Sequence, residues 1–360
     1  MKRTLLHIIY DLKRGGAETV LVSVVKELTE YNHVIVTLFE GYEFDEAFQR
    51  KHTVICLSVK HFTLLPLYYF QYRRIIKKYD VRLVSSHLFW PTFLARIATP
   101  AGIPLVTMIH TYVANSVEYK KGIIRWLEKT SYRMHKTYML AASKGALEEY
   151  FSFLKLRPFK AIPLYTFVDP RIFKSQNIGG PTHSGIKMIS VGRLTIQKNH
   201  QYAIEAFKTL KDEPVSLDIY GMGDRYEMLS SQITETGVAV KLKGRVSNIN
   251  ELIPRYDLFI MPSLYEGFSL AVLEAMAMGM PMMLSDTPSF REQCADTAIY
   301  FSLTNPDDFV EKFNQLKSDP AQMKLLGAAA RERVLNNFTL EHHMEIIREV
   351  YKEALDTVKS

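Results

Sequence analysis

Apolar and β-branched residues gather along this chain in short runs separated by longer amphipathic stretches. Thr4–Tyr10, His33–Phe39, Val54–Ser58, Val81–His87, Leu105–His110 and Thr137–Ser143 read as strands, with helical periodicity between most of them. Such alternation marks a parallel sheet with helices on both faces, whose strands are apolar almost throughout because neither face meets water. The pattern pauses at Ser175–Gly185, which reads as a linker or surface loop. It restarts with Lys187–Leu194, Val215–Gly221, Val240–Val246, Asp257–Ser263, Pro281–Asp286 and Ala298–Leu303, and the chain ends in a helical pattern from Leu340 to Val358. The predicted architecture is α/β, with two Rossmann-like domains, 1–170 and 171–339, facing each other across a cleft and a terminal helix over 340–360. Open parallel sheets bind ligands at the carboxyl ends of their strands, so candidate chemistry is sought there.

Bulk properties narrow the picture. A chain of 360 residues, 47% apolar and 23% charged, is long for one hydrophobic core and suits two. The longest apolar stretch, Leu258–Leu284, is broken by Glu266 and Glu274, so no membrane-spanning helix is expected. Lys2 and Arg3 precede an apolar run, but His7 and Asp11 interrupt it, and it reads as a first strand rather than a signal peptide. Cys56 and Cys294 lie far apart with no metal-ligand spacing around them, which points to neither disulfide nor zinc and fits a reducing cytoplasm. The net charge of +7 is uneven: residues 1–170 hold 24 Lys and Arg against 14 Asp and Glu, and the remainder 21 against 24. A basic half can face nucleic acid, an anionic membrane or a polyanionic substrate.

The strongest chemical signal is the run from Leu264 to Pro281. Glu266 and Gly267 follow a strand, Ser269 stands where a helix N-cap belongs, Leu270–Met278 has strong helix formers, and Gly279 with Pro281 stops it. A turn leading into a helix N-terminus is an anion site suited to a diphosphate. Glu266 before the helix and Glu274 inside it can reach different parts of one ligand, and carboxylates accept paired sugar hydroxyls well. A second cluster, Gly192-Arg193 with Lys198-Asn199, ends the first strand of the second half, where its two cations would neutralise a departing diphosphate. In the first half, Arg14-Gly15-Gly16 follows a strand and opens a helix, allowing close backbone approach to a phosphate or sugar. His87 and His110 each end a strand of the same half.

Together these residues resemble the family 4 retaining glycosyltransferases of the GT-B fold. The resemblance also takes in Val168-Asp169, Tyr220-Gly221-Met222-Gly223, Lys243-Gly244-Arg245 and the run from Asp257 through Pro262. It implies that Arg193 and Lys198 bind the donor diphosphate, that Glu274 binds the ribose, and that Glu266 binds the transferred sugar with the amides of Gly267, Phe268 and Ser269. It further implies that Gly15 and Gly16 approach the donor, that His110 touches the sugar near the reacting carbon, that His87 serves the acceptor side, and that the terminal helix crosses back to the first domain. One departure is Thr166-Phe167, where the family shows Asn-Gly; it bears on the hinge and not on the chemistry.

The function so implied is retaining transfer of a hexose or N-acetylhexosamine from a nucleoside diphosphate sugar, with UDP as the expected carrier. The acceptor would be a hydroxyl of a lipid-linked or saccharide substrate in cell-surface polysaccharide synthesis. No Asp-x-Asp sequence occurs, so a metal-independent reaction without cofactor is expected, Arg193, Lys198 and helix N–H groups acting in a cation's place. Rival readings are a sugar-nucleotide epimerase or phosphorylase on the same fold, a nicotinamide dehydrogenase prompted by Gly221-Met222-Gly223, and a nucleic-acid-binding protein. The dehydrogenase lacks its third glycine, and no nucleic-acid-binding signature is present. Lys121, Arg125, Lys129 and Arg133 recur every four residues beside Trp126, and Arg73, Arg74, Lys77 and Lys78 follow the aromatic-rich Phe62–Tyr72. Cations beside aromatic rings are the pattern of an interfacial helix, so the expected location is cytoplasmic, with peripheral docking on the anionic inner face of the membrane.

Overall fold

The computed structural model describes residues 2–13, 15–114, 116, 118–174 and 185–357. Arg14 and residues 175–184 of the predicted linker Ser175–Gly185 lie outside them, as does Val358 at the end of the predicted terminal helix. The chain divides into two compact units, Met1–Thr166 with Glu341–Ser360, and Phe167–Leu340.

The first unit holds strands β1 (Thr4–Ile9), β2 (Asn32–Thr37), β3 (Thr53–Cys56), β4 (Val81–His87), β5 (Leu105–Ile109), β6 (Thr137–Ala141) and β7 (Lys160–Pro163). All pair in parallel in the order β3-β2-β1-β4-β5-β6-β7. Helices α1 (Gly16–Glu27), α2 (Glu46–Lys51), α3 (Tyr69–Lys78), α4 (Phe89–Ala98), α5 (Gly122–Met134) and α6 (Lys144–Leu154) connect them. Leu5, Leu6, Ile8, Ile35, Val36, Leu83, Val84 and Leu105 are fully buried, as expected of strands covered on both faces. Strand β7 was not foreseen: Lys160-Ala161-Ile162-Pro163 is a half-buried edge strand, and its proline and lysine are residues that only an edge tolerates.

Helix α4 is tied to α5 and α6 by a buried polar cluster. Arg96 Nη1 donates to Glu128 Oε1 at 2.7 Å, and the same carboxylate oxygen accepts from the Tyr150 hydroxyl. Both charged side chains are essentially inaccessible, so the pairing is what makes their burial tolerable.

The second unit holds β8 (Ile186–Val191), β9 (Val215–Tyr220), β10 (Val240–Gly244), β11 (Leu258–Met261), β12 (Met282–Ser285) and β13 (Ile299–Phe301), parallel in the order β10-β9-β8-β11-β12-β13. Between and after them lie α7 (His200–Thr209), α8 (Tyr226–Thr236), α9 (Ile249–Leu252), α10 (Leu270–Met278), α11 (Pro288–Cys294), α12 (Pro306–Lys317) and α13 (Pro320–Asn337). Asn305 and Asp319 cap the two long helices, each followed by proline at the first helical position, where its missing N–H costs nothing. Helix α14 (Leu340–Thr357) returns to the first unit, burying Met344, Ile347, Val350, Tyr351 and Ala354. There His343 Nδ1 bonds the Tyr165 carbonyl at 2.8 Å, and Arg348 Nε donates to Glu30 at 3.0 Å. The two Rossmann-like halves read from the sequence are thus present, and the candidate residues Arg193, Lys198, Glu266, His87 and His110 follow or end strands within them.

Candidate functional site

In the second unit the site is built where β8, β9 and β11 end. The loop after β8 runs Gly192 to Asn199, and Asn199 adopts left-handed backbone (φ 51°) to turn the chain into α7. The loop after β9 crosses it at backbone contact: Gly192 N donates to Tyr220 O at 2.9 Å and Leu194 N to Met222 O at 3.0 Å. A Cβ on Gly221, whose φ is +152°, would collide with the Gly192 carbonyl, and one on Gly223 with the Leu194 carbonyl. These glycines therefore serve the packing of one loop on another, which removes the reason for reading them as a nicotinamide fingerprint.

Two further bonds fasten the β8 loop to the loop after β11. Gln197 Nε2 donates to Tyr265 O at 3.0 Å, and Leu264 N to Gln197 O at 2.8 Å. The outcome is that Lys198 Nζ lies 2.7 Å from Glu266 Oε1, with the two side chains only 14% and 8% exposed. Ser263 Oγ donates to the same carboxylate oxygen at 2.7 Å. Arg193 is exposed on the same loop and acts electrostatically on Tyr265.

Glu274 is half-buried on α10. Burial pushes its carboxyl up to about 8, and Lys198 opposes that shift only in part. The cation thus stands between two acids: it neutralises Glu266 by direct pairing, while Glu274 is largely neutral at pH 7 by protonation. Both devices reduce the repulsion that two carboxylates would otherwise present to an anionic ligand.

The helix N-terminus at Ser269 departs from the sequence reading in two respects. Ser269 occupies the N-cap position, but its hydroxyl makes no capping bond; it is buried with no hydrogen-bond partner. Its amide is not free for a sugar either, because it donates to Gln293 Oε1 at 3.0 Å while Gln293 Nε2 donates to Ser269 O at 2.9 Å. The Ser269 amide is thereby removed from the amides expected to face a ligand. The Phe268 ring packs edge-on against Phe338 at 4.9 Å and belongs to the core. Gln293 itself, fully buried on α11, escaped the sequence reading because an isolated glutamine carries no motif.

In the first unit, Gly15 is the N-cap of α1 in extended backbone (φ −136°), and Gly16 opens the helix. A side chain at Gly15 would strike the carboxylate of Glu18, which leans over this helix end. His87 and His110, ending neighbouring strands, form one stacked pair: His87 Nδ1 and His110 Nε2 are 3.1 Å apart, and the ring centroids 5.4 Å. Ser85 Oγ meets the other His87 nitrogen at 3.3 Å. Burial, then the charge of His343, holds His110 at about 4; burial and His110 hold His87 well below the usual imidazole value. At neutral pH the pair is uncharged, able to donate and accept hydrogen bonds but not to supply positive charge.

Comparison with known proteins gives this geometry its class. Residues 14–171 match the family Glycosyltransferase Family 4, and residues 173–333 match Glycosyl transferases group 1. The chain belongs to the family 4 glycosyltransferases and is a glycosyltransferase of GT-B architecture. It is 26% identical over 330 residues to the N-acetylgalactosamine-N,N'-diacetylbacillosaminyl-diphospho-undecaprenol 4-alpha-N-acetylgalactosaminyltransferase of Campylobacter jejuni, covering 86% of this chain and 88% of that one. It is 25% identical over 311 residues to the UDP-Gal:alpha-D-GlcNAc-diphosphoundecaprenol alpha-1,3-galactosyltransferase of Escherichia coli, covering 80% and 78%. Among solved structures, Anabaena HepE in complex with UDP and glucose superimposes with a TM-score of 0.85 at 19% identity, over 98% of this chain and 100% of that one. Sucrose-phosphate synthase from Thermosynechococcus elongatus does so at 0.84 and 14% identity, over 99% and 100%.

Proposed function

We propose that this glycosyltransferase moves a hexose or N-acetylhexosamine from a UDP-sugar to a hydroxyl of a lipid-linked or saccharide acceptor in bacterial polysaccharide or glycolipid synthesis. The transfer proceeds with retention at the anomeric carbon and without a metal. The observation that carries the reading is the buried pair Lys198–Glu266 at the mouth of α10, with Glu274 behind it. In this mechanism the donor diphosphate draws Lys198 from Glu266, which frees the carboxylate to accept sugar hydroxyls. Glu274, as the neutral acid, both donates to and accepts from the ribose diol. The bond from the anomeric carbon to the phosphate oxygen breaks as the bond to the acceptor oxygen forms on the same face, and the acceptor proton passes to the departing phosphate. Lys198, Arg193 and the end of α10 meet the charge that grows on that phosphate, which lowers the barrier more than it strengthens binding. His110 is assigned to hydrogen bonding with the transferred sugar near the reacting carbon, and His87 to the acceptor side. The names of the two curated relatives, both acting on diphospho-undecaprenol-linked sugars and one on UDP-Gal, support the carrier and acceptor class.

Nucleotide sugars screened by thermal shift should rank a UDP-sugar first, since a ligand stabilises in proportion to the logarithm of its concentration over its Kd. Transfer by that donor, followed by NMR of the anomeric proton, should show retention and survive EDTA. Loss of activity on chelation with recovery on magnesium or manganese would refute the metal-free mechanism. An altered nucleotide sugar formed without acceptor would favour an epimerase.

A further inference from the structure

We propose that the helical segment 62–78 of the first unit is a membrane-docking surface that seats on the headgroups of anionic phospholipids. The 3-10 helix Phe62–Tyr68 runs directly into α3. Its inward side is ordinary core, with Leu65, Tyr72, Ile75 and Ile76 buried. Its outward side presents Leu67 and Phe70, each 72% exposed, together with Leu64. At about 100° per residue, Phe70, Arg74, Lys77 and Lys78 fall within an arc of about 100°, so the exposed ring and three cations share one face. Single exposed apolar residues are unremarkable on a protein surface. A phenylalanine and leucines at one end of a helical face, with cations along the rest of it, are what enters the headgroup boundary while meeting lipid phosphates.

Two further observations point the same way. An open pocket of about 1180 Å³ lies beside α3, lined by Lys2, Arg3, Arg73, Lys77 and Tyr69, and by Asp80 paired with Arg82 at 2.9 Å. Lys2 and Arg3 precede β1 and Arg82 stands near the start of β4, which puts this pocket at the amino edge of the sheet, away from the edge that carries His87 and His110. These cations are separate from the glycosyl chemistry; Arg82 pairs with Asp80 and Arg3 lies 4.0 Å from Asp356, which leaves Arg74 and Lys77 of α3 to meet phosphate headgroups. Helix α5, which packs with α3 against α4, repeats the combination by exposing Ile123 and Trp126 at 59% and Met134 at 64% near Lys121 and Arg133. The structure corrects the basic stripe read from the sequence. Each step of four residues rotates by about 40°, so Lys121 to Arg133 sweep about 120° of the helix rather than one line. Arg125 donates to the carbonyls of Tyr119 and Lys120, and it is the apolar residues that α5 presents.

A second copy of this chain is a poor occupant, because two such faces would bring like charges together. The lipid surface is also consistent with the excess of 24 basic over 14 acidic residues in 1–170, whose attraction acts over about 8–10 Å at physiological salt.

Flotation with phosphatidylcholine vesicles carrying rising phosphatidylglycerol tests this, comparing wild type with Leu67→Ser/Phe70→Ser and with Arg74→Glu/Lys77→Glu. Wild type should bind in proportion to phosphatidylglycerol, more weakly as salt rises, and each double variant should lose at least tenfold in partitioning. All three proteins should bind UDP alike by thermal shift, which shows the fold intact and separates this surface from the donor site. No wild-type binding to phosphatidylglycerol vesicles, or undiminished binding by both variants, would overturn the proposal. Self-association in the ultracentrifuge that Leu67→Ser/Phe70→Ser abolishes would replace it with a dimer face.

Discussion

Mild acid should unfold the first unit well before the second. His7, His87, His110 and His343 are buried in the first unit, and burial lowers all four; His110 and His343 lie at about 4, and His7 and His87 well below the usual value. In the unfolded chain each takes up a proton near pH 6.5, while in the folded unit it stays neutral. The unfolded state therefore binds more protons as pH falls, so this stability is present above 6.5 and lost on the way down to the folded pKa values. Between pH 7 and 5.5 each histidine costs about 1.2 kcal/mol, and four cost about 5 kcal/mol. Glu118 and Glu149, both raised by burial, act in the opposite sense and offset part of that loss. In the second unit His200, held at about 3 by burial and by Lys198, loses a similar increment. Glu274, raised to about 8, gains protons in the folded state first and returns about 2 kcal/mol over the same window, so that unit changes little. At roughly 2–4 °C per kcal/mol, the first unit's melting should fall by at most about 10–20 °C. Scanning calorimetry at the two pH values, with hydrogen exchange to assign the transitions, measures this. Equal shifts in both units, or a first-unit shift below about 3 °C, would refute the reasoning.

Substitutions at four other residues probe the site and its frame. Glu274→Ala should weaken UDP-sugar binding by about 1.5–3 kcal/mol, whereas Glu274→Gln, which resembles the neutral acid, should keep most of the affinity; calorimetric titration distinguishes them. Gln293→Leu leaves the buried Ser269 amide without its partner and should raise the donor KM by about tenfold with a smaller change in kcat, which steady-state kinetics will show. Lys198→Ala should lower kcat more than it raises the donor KM, since its charge matters most as the diphosphate departs. Glu128→Ala strands the buried Arg96 guanidinium and should cost about 3–5 kcal/mol in urea unfolding, with donor affinity of the folded fraction unchanged.

What the sequence disclosed follows from the range of the interactions involved. The helix Leu270–Met278 and its stop were legible because helix formers, Ser269 and Gly279 lie within one short window. Strands read from the apolar pattern ran one or two residues past their observed ends, as at Tyr10, His110 and Gly221, because the chain stays partly buried after the sheet's hydrogen bonding stops. The Lys198–Glu266 pair was not legible as a pair, since 68 residues separate partners that only the adjacency of β8 and β11 brings together. The histidines show the same effect most clearly. His7, His33 and His87 share no spacing, yet β1 lies between β2 and β4, so His7 bonds His33 at 3.0 Å and faces His87 at 6.5 Å between ring centroids. A pattern confined to one element can be read along the chain. A cluster made by strand order becomes visible only when the order is known, and here that order brings scattered histidines into contact as one buried group.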